Sequence, residues 1–396
     1  MRRPIHIFTP LSRVAGSLIG SMAFLALSFS AATLLAGDPD PGPGPGEPGG
    51  PMQPLSPTQQ ALWDRGRLIF DKDFHIADGL GVPEFNGDSC RACHQDPVMG
   101  GAGPLELNVS RFGSDDGSGG TFIDLPGGQA ASKLRPPGHL QRENIPGEAD
   151  VFEQRQTPTV LGLGLIDHIS DDTILANQDP TDANGDGIFG VARIVDVNGQ
   201  PEVGRFGWKA QIPQLSDFLR DAMAGELGVT TPADGRGFGL AVDGDAVQDP
   251  ELSPERTEAL NFFLMAIGPP LRKGSTDPAV ARGEQVFTDI GCSRCHIPSL
   301  PTAPGGEAAL YSDLLLHDIM GPGFRGMAED GAPSGMYRTP PLWGVGDTAP
   351  YLHDGRAETL LDTILMHGGE ATIASQGFLA LPSGSQDDLI AFLEDL

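Results

Sequence analysis

The 396-residue chain is poor in cysteine, in aromatic residues and in positive charge. Four cysteines are too few for a disulfide-stapled scaffold, and with 6% aromatic residues a large aromatic core is excluded. The 25 Lys and Arg face 53 Asp and Glu, a formal net charge of -28, and they form no cluster of the kind that binds phosphate backbones. Nucleic-acid binding is thereby excluded as a function. No nucleophile elbow, P-loop or dinucleotide fingerprint stands in the strand-to-helix setting such motifs require. What is abundant is loop chemistry, with 55 Gly and 36 Pro.

All four cysteines fall in two copies of one pattern, Cys90-Arg91-Ala92-Cys93-His94 and Cys292-Ser293-Arg294-Cys295-His296. In a C-x-x-C-H run two thiols can add to the vinyl groups of one haem while the adjacent histidine ligates its iron. Zinc sites, thioredoxin-like pairs and disulfides also use C-x-x-C, but none of them explains a histidine after both pairs. The motifs predict two covalently attached haem c groups, held by Cys90, Cys93, Cys292 and Cys295 with His94 and His296 as proximal ligands.

Haem c is attached outside the bacterial cytoplasm, and the N-terminus supplies an export pattern. Arg2, Arg3 and Arg13 precede an apolar run from Val14 to Ala36, so residues 1–36 read as a signal peptide or membrane anchor, with cleavage at Ala36-Gly37 favoured. The expected location is the periplasm, with membrane attachment only where the signal is retained. Residues 37–57 form a Pro/Gly-rich stretch expected to be a disordered linker.

The remaining chain, about 340 residues, is more than one compact domain usually holds. An internal repeat divides it. Arg65-Gly66-Arg67-Leu68-Ile69-Phe70 before the first motif matches Arg282-Gly283-Glu284-Gln285-Val286-Phe287 before the second, both on amphipathic helical patterns. A closing helix follows in each unit, Glu258 to Leu264 in the first and Asp387 to Leu393 in the second. The expected fold is mainly α and loop-rich: two cytochrome c-like haem domains, residues 58–270 with insertions and residues 275–396, joined through Pro269-Pro270 and a polar linker. The run Val160 to Ile166 reads as a short strand or a buried loop.

The stretch Tyr337-Arg338-Thr339-Pro340-Pro341-Leu342-Trp343 through Thr348-Ala349-Pro350-Tyr351-Leu352-His353-Asp354-Gly355-Arg356 resembles the di-haem cytochrome c peroxidase superfamily. Within it the chain is most similar to di-haem oxidoreductases sometimes labelled thiol oxidoreductases. Arg155-Gln156-Thr157-Pro158-Thr159 and Gly204-Arg205-Phe206-Gly207-Trp208-Lys209-Ala210 agree, and the resemblance runs from about residue 58 to the end.

The resemblance implies a second axial ligand for the C-terminal haem fourteen residues after His353, at His367. Peroxidases of the superfamily place methionine there, and the methylamine-dehydrogenase maturation enzyme places tyrosine. Met366 lies one residue early, a turn of about 100° on a helix, so His367 is preferred. Histidine in place of methionine stabilises ferric iron and lowers the reduction potential.

For the N-terminal haem, peroxidases offer a removable histidine sixteen residues after the proximal one, where this chain has Ser110. His139, His168 and Met99 are weaker alternatives, and an open iron is the simplest expectation. The resemblance further implies an acid/base glutamate at Glu226, with Asp167 in reserve, and a tryptophan between the haems at Trp208. Lys209 replaces the family aspartate. Backbone carbonyls of Thr348 and Pro350 would hold an interdomain calcium, and the oxygen-rich loop Asp182 to Gly187 begins like a second calcium loop but lacks its closing glutamate. His317, His353 and Arg356 are expected near haem propionates. The function so implied is an exported peroxidase-like oxidoreductase: peroxide or a similar oxidant binds at the N-terminal haem, and electrons enter through the C-terminal haem from a small cytochrome or cupredoxin. The alternatives are a pure electron-transfer cytochrome and an oxidase modifying a partner protein. The acidic charge suits a basic donor, or serves only to keep an exported protein soluble.

Overall fold

The computed structural model describes residues 42–81, 85–115, 130–131, 146–303 and 305–396. The expected signal or anchor at 1–36, and His139, lie outside the described residues. Ten α-helices are present among them: α1 Pro57–Asp71, α2 Cys90–Cys93, α3 Leu163–Asp167, α4 Asp171–Ala176, α5 Leu215–Ala222, α6 Pro254–Ala266, α7 Pro278–Asp289, α8 Leu360–Met366, α9 Thr372–Ala380 and α10 Ser383–Asp395. Nine short strands accompany them: β1 Val109–Gly113, β2 Ala130–Ala131, β3 Val151–Arg155, β4 Ile194–Val197, β5 Gln200–Val203, β6 Leu300–Thr302, β7 Gly306–Ala308, β8 Leu316–Asp318 and β9 Met336–Arg338. They form one three-stranded sheet, β2-β1-β3, and three antiparallel ribbons, β4-β5, β6-β7 and β8-β9. The content is mixed, with helices as the framework and the ribbons set in the loops between them.

The sequence repeat is a structural repeat. In the first half α1 crosses α6, and in the second α7 crosses α10. Both entry helices start cleanly: Ser56 caps α1 through Gln59 N–H, Asp277 caps α7 through Ala279 N–H, and each helix has proline in its first turn. Each crossing is set by a glycine. A Cβ on Gly66 would run into the Ala259 carbonyl and sit 2.6 Å from Phe263 Cβ; a Cβ on Gly283 would run into the Asp388 carbonyl and sit 2.7 Å from Phe392 Cβ. The close approach brings Phe263 to 5.3 Å from Phe70, and Phe392 to 5.4 Å from Phe287, between ring centroids. Burying each phenyl ring contributes about 1.5–3 kcal/mol. Phe70 then lies 6.3 Å from His94, and Phe287 the same distance from His296. One packing unit therefore presents each C-x-x-C-H histidine.

Two sequence expectations are corrected. Residues 42–56, expected as part of a disordered linker, are folded: Gly50 and Pro51 are buried, Met52 N–H donates to Ala266 O at 2.9 Å, and Gly268 N–H donates to Gly50 O at 2.9 Å. Tight turns and these backbone bonds hold the tract against the end of α6, with Leu55 packed on the core. The run Val160 to Ile166 is neither strand nor loop throughout, because Gly162 takes a left-handed φ of 79° and starts α3 directly after it.

A buried charge cluster ties the halves together. Glu329, from the second half, takes guanidinium contacts from Arg111 (2.5 Å), Arg155 (3.2 Å) and Arg193 (2.8 Å), all from the first. Arg155 also pairs with Glu153, whose other oxygen accepts from Met327 N–H at 2.7 Å and Tyr337 Oη at 2.9 Å.

Candidate functional site

The second C-x-x-C-H motif lines a largely apolar cavity. His296, Cys292 and Cys295 line it, and so do Leu360, Ile364 and His367, one face of α8 and its C-cap. Helical spacing explains the face, since positions 360, 364 and 367 stack one above another. Met366 is off that face and 45% exposed, so His367 is the side chain that reaches the cavity. The two imidazoles are prepared alike. His296 Nδ1 donates to Tyr311 O at 2.9 Å and His367 Nδ1 to Thr363 O at 2.6 Å, which leaves Nε2 of each ring free. Burial holds His296 down at about 4 and also lowers His367, so both are neutral, the form that ligates metal.

His317 lines the same cavity but cannot serve as a further ligand. Nε2 contacts Asp313 at 2.8 Å and Nδ1 contacts Glu370 at 3.0 Å. Burial opposes its charge, yet the bonds to Asp313, Cys295 and Glu370 prevail and push it up to about 12. It is an imidazolium locked between carboxylates. His353 is different: burial holds it neutral, with the ring stacked 3.8 Å over Tyr337. Arg356 is turned to Asp354, Nε to Oδ1 at 3.0 Å.

At the first motif Ser89 caps the short helix α2 by accepting from Ala92 N–H at 3.3 Å. His94 Nδ1 lies 3.3 Å from Gly101 O, and burial holds this histidine too at about 4. Burial likewise pushes the Cys90 and Cys292 thiols up to about 12, which removes the thiolate that thiol chemistry would need. Glu226 sits on a π-helical turn, Met223–Leu227, that continues α5. Its Oε2 accepts from Asn86 Nδ2 at 2.8 Å and its carbonyl accepts from Asn86 N–H at 2.7 Å. The neighbouring Gly87 lies against Cys93 Sγ, which places the carboxylate beside the attachment segment. A π-turn is a frequent device at functional sites.

The weaker candidates have other duties. Asp167 accepts from Leu215 N–H at 2.8 Å and caps α5. His168 is exposed, bonds Gly164 O at 2.5 Å, and opens onto a cleft with Met52, Leu55 and Asn261. Met99 packs against the hydrophobic core.

Trp208 is bonded to residues associated with each motif. Its Nε1 donates to Gln156 O at 2.7 Å, and its carbonyl accepts at 2.8 Å from N–H of Arg338, a residue lining the second cavity. Gln156 Nε2 in turn bonds Gly103 O, and Gly103 packs on the Cys93 backbone. Lys209 is fully buried, its Nζ donating to Pro333 O at 2.8 Å and Met336 O at 2.7 Å and lying 4.3 Å from the Tyr337 ring centroid. Burial lowers it to about 7. The sequence marked this position only as a departure from the family aspartate; the structure gives it a role in holding the 333–336 loop.

Two further residues, unremarked in the sequence as ligands, bear on cation binding. Asn108 Oδ1 and Gln156 Oε1 are buried without a hydrogen-bond partner. Asn108 Nδ2 bonds Asp354 O at 2.9 Å, and both Gln156 Oε1 and Pro350 pack against Gly355. Orphaned amide oxygens beside the Thr348–Pro350 turn fit a hard cation. Gln156 was visible in the sequence only as the polar residue of Arg155-Gln156-Thr157-Pro158, and Asn108 carried no signal. In the Asp182 to Gly187 loop, by contrast, Asp182, Asn184 and Asp186 accept from backbone N–H groups of the loop itself. They form a series of Asx turns.

Comparisons with known proteins identify the family. Residues 144–396 match the model of the family described as "Di-haem oxidoreductase, putative peroxidase". The chain is 31% identical over 189 residues, 36% of its length, to hydrazine synthase subunit gamma of Kuenenia stuttgartiensis, and it covers 50% of that protein. Two solved structures are similar in outline. The diheme peroxidase BthA of Burkholderia thailandensis matches at 16% identity and TM-score 0.44, over 87% of this chain and 86% of that one. A MauG-like protein associated with microbial copper homeostasis matches at 18% identity and TM-score 0.41, over 87% and 89%. By the match that covers its last two thirds, the chain belongs to the di-haem oxidoreductase family.

Proposed function

We propose that the protein is an exported, peroxidase-type di-haem oxidoreductase that turns over its oxidant beside the first C-x-x-C-H motif and takes in electrons beside the second. The reading rests on one asymmetry. His296 and His367 line a single cavity, whereas the histidine and methionine candidates described for the first motif, His168 and Met99, are engaged in a bond to Gly164 O and in core packing. Haem c at the two thiol pairs would supply iron that exchanges single electrons and, where a coordination position is open, accepts a small oxidant. The protein's part follows from its own residues.

Cys90 with Cys93, and Cys292 with Cys295, fix the two groups; His94 and His296 present neutral Nε2 atoms; His367 closes the second centre. Glu226 is the proton-handling group: it accepts a proton from the inner oxygen of a peroxide and returns it to the outer one, which assists O–O cleavage. Asn86 orients that carboxylate, its Nδ2 lying 2.8 Å from Oε2. Trp208 bridges the two motifs through its bonds to Gln156 and Arg338. Calcium, held by carbonyls of Thr348 and Pro350 and by the orphaned oxygens of Asn108 and Gln156, would brace that bridge. Haem domains at 58–270 and 275–396, export, and a small cytochrome or cupredoxin as donor complete the proposal.

The test is low-temperature EPR of the oxidised and half-reduced holoprotein, with and without calcium, alongside haem quantification. One high-spin and one low-spin ferric signal are expected, with the high-spin signal perturbed by peroxide. Two low-spin signals that persist after half-reduction would remove peroxidase chemistry and leave an electron-transfer cytochrome.

A further inference from the structure

The segment that meets His296 is held in an uncommon backbone conformation. Tyr311 and Leu314 take left-handed φ values of 51° and 63°, two of the six non-glycine residues that do so among the described residues. For side chains of this bulk the conformation is unfavourable, and it persists only where the surroundings impose it. Here the haem motif imposes it. Tyr311 N–H donates to Pro298 O at 3.3 Å, Ser312 N–H to Ile297 O at 3.0 Å and Asp313 N–H to Cys295 O at 2.9 Å, so the segment runs along the end of the motif. With the chain turned in this way, the Tyr311 carbonyl accepts from His296 Nδ1 at 2.9 Å.

The tyrosine side chain fixes the same residue from its other end. Its Oη donates to Glu284 Oε1 at 2.9 Å, and its ring lies edge-on to Phe287 and Phe392, with centroids 6.0 Å and 5.8 Å away. Burial and the Glu284 carboxylate push the phenol up to about 12, which keeps it a donor. Glu284 and Phe287 belong to α7 and Phe392 to α10, the crossing that also packs on His296. At the first motif the carbonyls facing His94 belong to Gly101, at 3.3 Å, and Pro158, neither of which has a polar side chain to hold it in place.

A hydrogen bond given by Nδ1 makes an imidazole a more basic ligand at Nε2, and such bonding around a haem is one of the levers that set its reduction potential. Deepening the proposed function, on which this step rests, we infer that Tyr311 is a positioning residue for the second haem: its strained carbonyl, stapled to α7 through Glu284, strengthens His296 as a ligand and lowers the potential of that centre. The staple acts independently of His367. The second centre is therefore tuned through both of its histidines.

Spectroelectrochemical titration of the holoprotein, with low-temperature EPR of the oxidised form, reads the effect apart from turnover. Tyr311→Ala removes the ring and the staple and lets the backbone relax out of the left-handed region; the midpoint potential of the second haem should rise and its g-values shift, while the first haem keeps both. Tyr311→Phe retains the ring packing and loses only the Oη bond, so it should move the second haem in the same direction by less. Two variants at position 284 separate the staple from its charge. Glu284→Gln keeps an oxygen acceptor for the phenol and should match wild type, because Glu284 is half-exposed and already faces Arg272 at 3.7 Å. Glu284→Ala should reproduce Tyr311→Phe. Where Tyr311→Ala fails to load haem, Tyr311→Phe and the Glu284 pair decide. Unchanged potentials in the Tyr311 variants, whatever their melting temperatures, would make the tyrosine a packing residue and overturn the assignment. So would equal shifts in Glu284→Gln and Glu284→Ala, since charge and not position would then act, or an equal shift at the first haem. Any of these failures beside one high-spin and one low-spin signal sinks the role of Tyr311 alone; two persistent low-spin signals sink the peroxidase reading and leave that role standing.

Discussion

Replacing Gly283 by alanine tests whether the repeated helix crossing seats the haem histidine. In an unconstrained helix interior Gly→Ala stabilises by roughly 0.5–1 kcal/mol. At Gly283 the new methyl group would meet the Asp388 carbonyl and lie 2.7 Å from Phe392 Cβ. Backbone atoms of α10 cannot rotate away, so the helices must part, and overpacking of this kind costs about 1–3 kcal/mol. The expected net change is a loss of about 1–2 kcal/mol, and Gly66→Ala should lose a similar amount at the matching crossing. Gly384, in the first turn of α10, is the internal control: a Cβ there has nothing within 4 Å, so Gly384→Ala should gain a few tenths of a kcal/mol. Circular dichroism melts of the holoproteins read the stability. Low-temperature EPR reads the consequence for the metal site, because Phe392 packs on Phe287 and Phe287 on His296. The g-values of the second haem should shift in Gly283→Ala and stay fixed in Gly384→Ala. If Gly283→Ala were as stable as Gly384→Ala with unchanged g-values, the crossing would not position the ligand.

Burial pushes Glu329 up, but Arg155, Arg111 and Arg193 overcome it and hold the carboxyl at about 2, against an ordinary 4.5. A folded-state value below the unfolded one contributes stability above pH 4.5 that is lost as the pH falls toward 2, on the order of 3 kcal/mol. Denaturant titrations at pH 7 and pH 3 should therefore show Glu329→Gln destabilised by about 3–5 kcal/mol at pH 7 and much closer to wild type at pH 3; a parallel offset at both would contradict the linkage. At the second haem, His367→Met should raise one reduction potential by a fraction of the roughly 0.8 V that axial ligands span, and Met366→Leu should leave both unchanged in spectroelectrochemical titration. A shift in Met366→Leu instead would move the ligand by one residue.

The chemistry-bearing residues were legible where local spacing dictates them. Two C-x-x-C-H runs and the matched Gly66–Phe70 and Gly283–Phe287 intervals are local signals, although the crossings they mark pair Gly66 with Ala259 and Gly283 with Asp388 across long stretches of chain. His367 was legible only through resemblance, and the exposure of Met366 shows why helix phase decides between neighbours. Long-range pairings left no local mark. β8 and β9 are three residues each, too short to display alternation, although they pair His317 with Tyr337. Glu329 stands in a glycine-rich loop without periodicity, and its three arginines come from more than a hundred residues away. The 42–56 tract misled because composition measures apolar content, whereas its order comes from backbone bonds to the end of α6.

The insertions that make the first half so much longer are what assemble the second centre. Val191 N–H bonds Leu316 O at 3.0 Å, and Leu316 N–H returns the bond to Val191 O at 2.8 Å, so the inserted chain pairs directly with β8. One residue before Gly190, Phe189 N–H holds Glu370, and Glu370 in turn holds His317 and the Asp318 backbone. Arg193, two residues beyond Val191, reaches Glu329. Ile188 lines the same cavity as His367. A second half cut free of residues 188–193 would keep His296 on its helix pair but lose the partner of Glu370 and part of the cavity lining. The pocket beside α8 is therefore completed by chain from the other half, since Ile188 lines it and Phe189 holds the Glu370 that fixes His317.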